Sequence, residues 1–236
     1  MDLAVERGTT DAMIRAALLT RLRLGGDPAA LLLQEMQMEH FRAFVDVAAI
    51  GTLLHCFEIK SDVDSVSRLK AQAYWTNCVA DLATVVVAPR HLAAAERIVP
   101  SWWGVITATS RNEVVMLTEV RVPQRNPERN AQHVLNLLRK EELMRVMRAL
   151  APRASSARTK PKVIEALLAT LGAEGAMTIA TGMLRYRKTW SARQLAVADE
   201  QHRLAHALSQ PRTNGYILDE LARQGRGAPT LDGLVF

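Results

Sequence analysis

Three ionisable residues lie within a short and otherwise apolar part of the chain, and their types suit phosphate chemistry. Asp46 interrupts the run from Phe44 to Ile50, Glu58 interrupts the run from Leu53 to Ile59, and Lys60 follows directly. Two carboxylates held together repel unless a positive charge lies between them. Hard oxygen ligands with room for water suit Mg2+ or Mn2+. In phosphodiester hydrolysis such an ion polarises the phosphate, acidifies a bound water and steadies the leaving oxygen, while a neighbouring lysine offsets the developing negative charge. Lys60 stands where that lysine is needed. The plainer alternative is a solvent-facing Glu58–Lys60 ion pair on an edge strand, and an isolated Glu-x-Lys is common by chance.

These residues must be brought together by a β-hairpin. Gly51-Thr52 separates two runs rich in β-branched and aromatic residues. Alternation along a strand sends Glu58 and Lys60 to one face and Phe57 and Ile59 to the other. A three-residue loop, Gly51 to Leu53, sets Ile50 against Leu54 and Asp46 against Glu58. A two-residue loop sets Asp46 against Phe57 and moves its charge to the opposite face. The first register gathers both acids and the lysine, and it is the one expected here.

Asp46, then eleven residues, then Glu58-Ile59-Lys60 resembles the PD-(D/E)XK nuclease superfamily. Within it, EIKSD, Arg68-Leu69 and Gln72, Asp81 ahead of TVVVA, His91, and Val99-Pro100-x-Trp102-Trp103-Gly104 resemble one uncharacterised bacterial and phage family over roughly residues 11 to 110. The resemblance implies a restriction-endonuclease-like fold and metal-dependent DNA chemistry. It assigns Glu35, Asp46, Glu58 and the Ile59 carbonyl to the metal and Lys60 to catalysis, with Gln72 touching the phosphate or orienting a water. Two departures stand out. Phe44-Val45 precede the aspartate where an arginine or small polar residue is usual, and Thr76 replaces a tyrosine four residues beyond Gln72.

The chain has 236 residues, 49% of them hydrophobic, enough for one well-buried domain and a smaller appendage. It shows neither a secretory start nor eighteen consecutive apolar residues. Cytoplasmic location without a membrane partner is expected, with Cys56 and Cys78 as buried free thiols. The net charge is +6 and the pI about 9.7. That charge is concentrated: residues 130 to 190 hold eleven Lys and Arg against four Glu, while the rest of the chain is close to balance. A basic surplus of this kind points to a polyanionic partner, DNA. Oligomeric state stays open, with room for a homodimer or a protein partner.

Periodicity supplies the frame. A helix capped by Thr10-Asp11 runs to Gly25-Gly26, and Pro28 starts a second, residues 29–39, with Glu35 near its end and Glu39 as a rival third acid. Ser61-Asp62 opens a helix to about Asn77. Leu82 to Ala88 is a buried parallel strand, His91 to Ile98 a helix, Gly104 to Thr109 a strand, and Val114 to Val120 an edge strand. Trp102 and Trp103 at a helix-to-strand junction fit core packing better than base stacking. The class is therefore α/β: a mixed sheet flanked by helices over residues 1–122, then a polar, proline-containing linker, then a smaller all-helical domain over 130–236 with a mobile tail.

In that second domain the basic turn 152–160 joins two short helices that loosely resemble a SAP-like DNA-binding pair. Arg153, Arg158, Lys160 and Lys162 surround a helix start, where charge and free N–H groups together suit a phosphate. A third helix ends in Arg185-Tyr186-Arg187-Lys188, a further basic cluster. His202 and His206, four apart, have no third ligand and read as a solvated face.

Overall fold

A computed structural model describes residues 8–38, 43–112, 114–150, 159–191 and 194–195. The chain divides into two compact units at Arg129/Asn130, with residues 193–196 belonging to the first.

The first unit is a six-stranded mixed sheet with helices on both faces. Its elements are α1 (Asp11–Gly25), β1 (Leu31–Met38), β2 (Ala43–Ile50), β3 (Leu54–Lys60), α2 (Leu69–Val79), β4 (Leu82–Val87), α3 (Leu92–Ile98), β5 (Gly104–Arg111) and β6 (Val114–Arg121). Spatial order follows chain order. β3, β4 and β5 are parallel and joined through α2 and α3, while the remaining neighbours are antiparallel. The Thr10 side chain caps α1 by accepting the Met13 N–H. Ile14, Leu18 and Leu19 of α1 then pack on Leu32, Val47, Phe57, Ile59, Val86, Ile106 and Ala108, so every second residue of the central strands is consumed by this layer. Trp102 and Trp103 are both buried, and the Trp103 indole donates to Asn77 Oδ1 at 2.8 Å, as expected of core residues.

Two elements differ from expectation. Residues 31–38 form strand β1, not a helix. Leu, Gln, Glu and Met are good helix formers, but pairing with β2 on both sides of Glu35 and burial of Leu32, Leu33, Met36 and Met38 override that preference. The second helix begins at Leu69, not Ser61. The Asp62 carboxylate accepts the Thr9 N–H (2.6 Å) and hydroxyl (2.8 Å), and Asp64 accepts the Ser61 N–H at 2.8 Å. These side-chain bonds hold a turn in competition with a helix. Val63, which helical spacing would bury, is 77% exposed.

The polar stretch 122–129 has no regular structure, yet it belongs to the sheet unit. The Asn126 side chain donates to the carbonyls of Asn77 and Ala80, and Arg125 and Arg129 both reach Asp81.

The second unit is helical: α4 (Ala131–Asn136), α5 (Lys140–Leu150) and α6 (Lys160–Arg185). α6 is kinked at Gly172 (φ 69°, ψ 171°), a conformation open to glycine almost alone. By length and composition α6 could cross a membrane. Its buried residues and its packing against α4 and α5 also fit a core helix.

Candidate active site

The β2–β3 hairpin has the three-residue connection: Ile50 pairs with Leu54 and Val47 with Phe57. One further step in that register sets Asp46 opposite Glu58. On the other side, Gln34 pairs with Val47 and Met36 with Val45, which sets Glu35 opposite Asp46. Residues directly opposite in antiparallel strands share a face. Asp46 and Glu58 therefore share a face, in a row whose β1 position, Glu35, is left unpaired.

The sheet is disturbed along this row. Glu35 has φ 50°, in the left-handed region that residues other than glycine rarely enter. Asp46 Oδ2 accepts the Ile59 N–H at 2.7 Å, a bond that a main-chain carbonyl would ordinarily make in a ladder. Strand β1 thus brings Glu35 to the row as a strand residue, correcting the helix-end position expected for it. Glu39 lies outside the described residues.

Glu58 is wholly buried. Its Oε2 accepts from Gln72 Nε2 at 2.7 Å and lies 3.9 Å from Lys60 Nζ, whereas Oε1 has no hydrogen-bond partner. Lys60 is also buried, and its ammonium donates to the Ile59 carbonyl at 2.9 Å. Burial pushes the Glu58 pKa well above the usual carboxylate range, and the charge of Asp46 pushes the same way against Lys60. Burial also raises Asp46, opposed by the Ile59 N–H, Lys60 and Arg15. A buried carboxylate oxygen without a donor costs about 1 to 3 kcal/mol. A proton or a cation beside Asp46 and Glu58 would remove that cost.

A divalent ion such as Mg2+ or Mn2+ fits this donor set. The groups at hand are the Asp46 and Glu58 carboxylates and the Ile59 carbonyl, all hard oxygens. Among the described residues no three His, Cys, Asp or Glu side chains gather into a ligand cluster, so Glu35 extends the row without completing a triad. Gln72, expected at the phosphate or a water, is instead bonded to Glu58. Thr76, standing where the resembled family has a tyrosine, is buried in the α2 interface.

One participant was not anticipated. Arg15, from α1, donates through Nη1 to the Asp46 carbonyl, and its Nη2 lies 3.5 Å from Asp46 Oδ1. Its Nε and Nη2 also bind Asp11 at 2.9 and 3.0 Å. The only local signal was the Asp11/Arg15 spacing of four on a helix. His55 is a packed residue: its ring stacks on Phe57 at 4.0 Å, its Nε2 lies 2.8 Å from the Thr84 hydroxyl, and burial lowers its pKa to about 4. Cys56, buried, and Cys78, half-buried, are not joined in a disulfide, and burial raises the Cys56 thiol pKa.

Residues 6–206 match the family model described as bacteriophage P4 protein cII. The chain belongs to that family. No curated protein matches it. A protein of unknown function from Silicibacter pomeroyi is similar at 17% identity over 60% of this chain and 90% of its own, with a TM-score of 0.38.

The helical unit of this cII-family chain uses its basic residues unequally. Lys162 and Lys188 are exposed. Arg185 lies over the Tyr186 ring at 5.2 Å, and Lys160 Nζ donates to the Asn136 carbonyl at 2.9 Å. Arg187 departs from the expected phosphate-binding role. It is buried, binds Glu142 through two bonds of 2.7 and 2.6 Å, donates to the Leu137 carbonyl, and stacks on Trp190 at 4.5 Å. Its guanidinium is engaged inside the unit through Nε and Nη2. Arg153 and Arg158, with His202, His206 and the tail, lie outside the described residues.

Proposed function

We propose that this chain is a Mg2+- or Mn2+-dependent deoxyribonuclease of PD-(D/E)XK type acting in the cytoplasm, with the basic helical unit holding DNA. The observation that carries this reading is the buried, half-satisfied Glu58 carboxylate beside Asp46 and Lys60. Such an arrangement costs stability and gains nothing for the fold alone. The resemblance of the Asp46…Glu58-Ile59-Lys60 pattern to that superfamily, the phage family and the concentrated basic charge support it.

Asp46, Glu58 and the Ile59 carbonyl would hold the ion, which when bound supplies Lewis-acid activation of water and phosphate. Gln72 keeps one Glu58 oxygen turned toward α2. Lys60, desolvated next to the acids, offsets negative charge that builds on the phosphate as a water oxygen bonds to phosphorus and the leaving oxygen departs with a proton. Lys162, Lys188 and Arg185 contribute sequence-independent, salt-sensitive attraction to the backbone.

Cleavage of plasmid, linear and single-stranded DNA should require Mg2+ or Mn2+. Asp46→Ala and Glu58→Ala should each remove it while leaving binding in place. Cleavage that survives both substitutions rules this reading out. A second reading, a DNA- or protein-binding protein on the same fold that does not cut, is favoured by the engagement of Gln72 with Glu58, which takes that amide away from a substrate. On that reading Lys60→Ala leaves the biological effect intact.

A further inference from the structure

We infer that Arg15 is the positioning residue of the metal site: a clamp from α1 that fixes Asp46 where the sheet no longer does. This rests on the metal reading of Asp46 and Glu58.

The need for a clamp follows from the register. Asp46 stands at the one row of β2 where the pairing with β1 is interrupted and the pairing with β3 has ended. The Asp46 row is thus missing from both ladders, and a half-buried carbonyl needs a hydrogen-bond donor. Arg15 Nη1 supplies that bond. On the carboxylate, the Ile59 N–H holds Oδ2 and Arg15 Nη2 approaches Oδ1. Backbone and side chain of Asp46 are thus both set by one guanidinium whose side chain is only 15% exposed.

The positive charge of the same guanidinium is largely cancelled before it reaches a cation in the site. Asp11 binds Arg15 at two of its nitrogens, so the Asp11–Arg15 pair is close to neutral as seen from the site. What Arg15 contributes is therefore mainly geometric, and its loss weakens metal binding. Groups that orient a ligand from behind commonly account for about 10- to 100-fold in metal affinity.

The test is direct Mn2+ binding to the full chain, followed by electron paramagnetic resonance, with thermal unfolding measured in parallel. Arg15→Ala should bind Mn2+ at least about tenfold more weakly than wild type. Arg15→Lys, which can reach the Asp46 carbonyl or Asp11 but not both, should fall between the two. If Arg15→Ala does not fold, Arg15→Lys decides. Folded Arg15 variants with wild-type Mn2+ affinity overturn the clamp while leaving the metal site standing. Wild-type protein that binds no Mn2+, or binds it equally well as Asp46→Ala, overturns the metal site and the clamp with it.

Discussion

Two acids of the same sheet unit, Glu58 in β3 and Asp81 at the entry to β4, are both buried and treated in opposite ways. Asp81, just before β4, has each oxygen taken: Oδ2 accepts the Leu54 N–H at 2.8 Å, and Oδ1 receives Arg125 at 2.8 Å and Arg129. Glu142 in the helical unit is saturated too, by Arg187 and by the Arg139 N–H at 2.7 Å. Glu58 has a neutral amide on one oxygen, no donor on the other, a lysine at 3.9 Å and a second acid close enough to share a proton with it. At Asp81 and Glu142, buried acids that hold the chain together, guanidinium groups and backbone donors meet both oxygens. At Glu58 they do not, and that contrast is the argument that the residue serves something other than the fold.

The contrast is broken most forcefully at Asp81. Asp81→Ala takes the carboxylate away from Arg129, only 13% exposed, and orphans the Leu54 N–H. The expected loss is about 3 to 5 kcal/mol of stability, measured by denaturant unfolding. Glu142→Ala should cost the helical unit about 3 kcal/mol, because Arg187 stays behind as a buried charge. Hydrogen exchange in α5 and α6 reports it, and the double change Glu142→Leu with Arg187→Met should recover most of the loss. If either single change were neutral, saturation of an acid would say nothing about its role.

Much of this organisation could be read before the structure, and the reasons are local. The cap and stripe of α1, the parallel strands β4 and β5 and the burial of Trp102 and Trp103 rest on short-range patterns that nothing elsewhere contradicts. The register of the hairpin followed from asking which loop length puts Asp46, Glu58 and Lys60 on one face. β1 was misread because its helix-forming residues become a strand only through pairing with β2. The start of α2 was misread because Asp62 is bonded to Thr9, fifty-three residues away. Arg15 is thirty-one residues from Asp46, and Arg187 forty-five from Glu142. No periodicity links such positions, so the Arg15–Asp46 contact has no sequence signal and Arg187, read as a partner-binding residue, serves the core.

The smallest expected effect is the most informative, because its sign opposes the two above. Glu58→Gln should stabilise the protein in the absence of metal by about 1 to 3 kcal/mol near neutral pH, since it removes a buried charge short of donors. The pH dependence fixes the cause. In the folded chain the Glu58 pKa lies well above its ordinary value of 4.5. Below that value both folded and unfolded chains carry a protonated Glu58, so glutamine offers little advantage. As pH rises, the unfolded chain ionises freely while the folded chain must keep the proton or bear a buried charge, and wild-type stability falls until pH passes the raised folded value. The glutamine advantage should therefore open above about pH 4.5 and widen toward neutrality. Mn2+ should close it from the other side by raising the melting temperature of wild type and leaving Glu58→Gln largely unmoved. A glutamine variant less stable than wild type at neutral pH without metal would mean that Glu58 is a structural acid like Asp81, and the hydrolytic reading of the row would lose its main support.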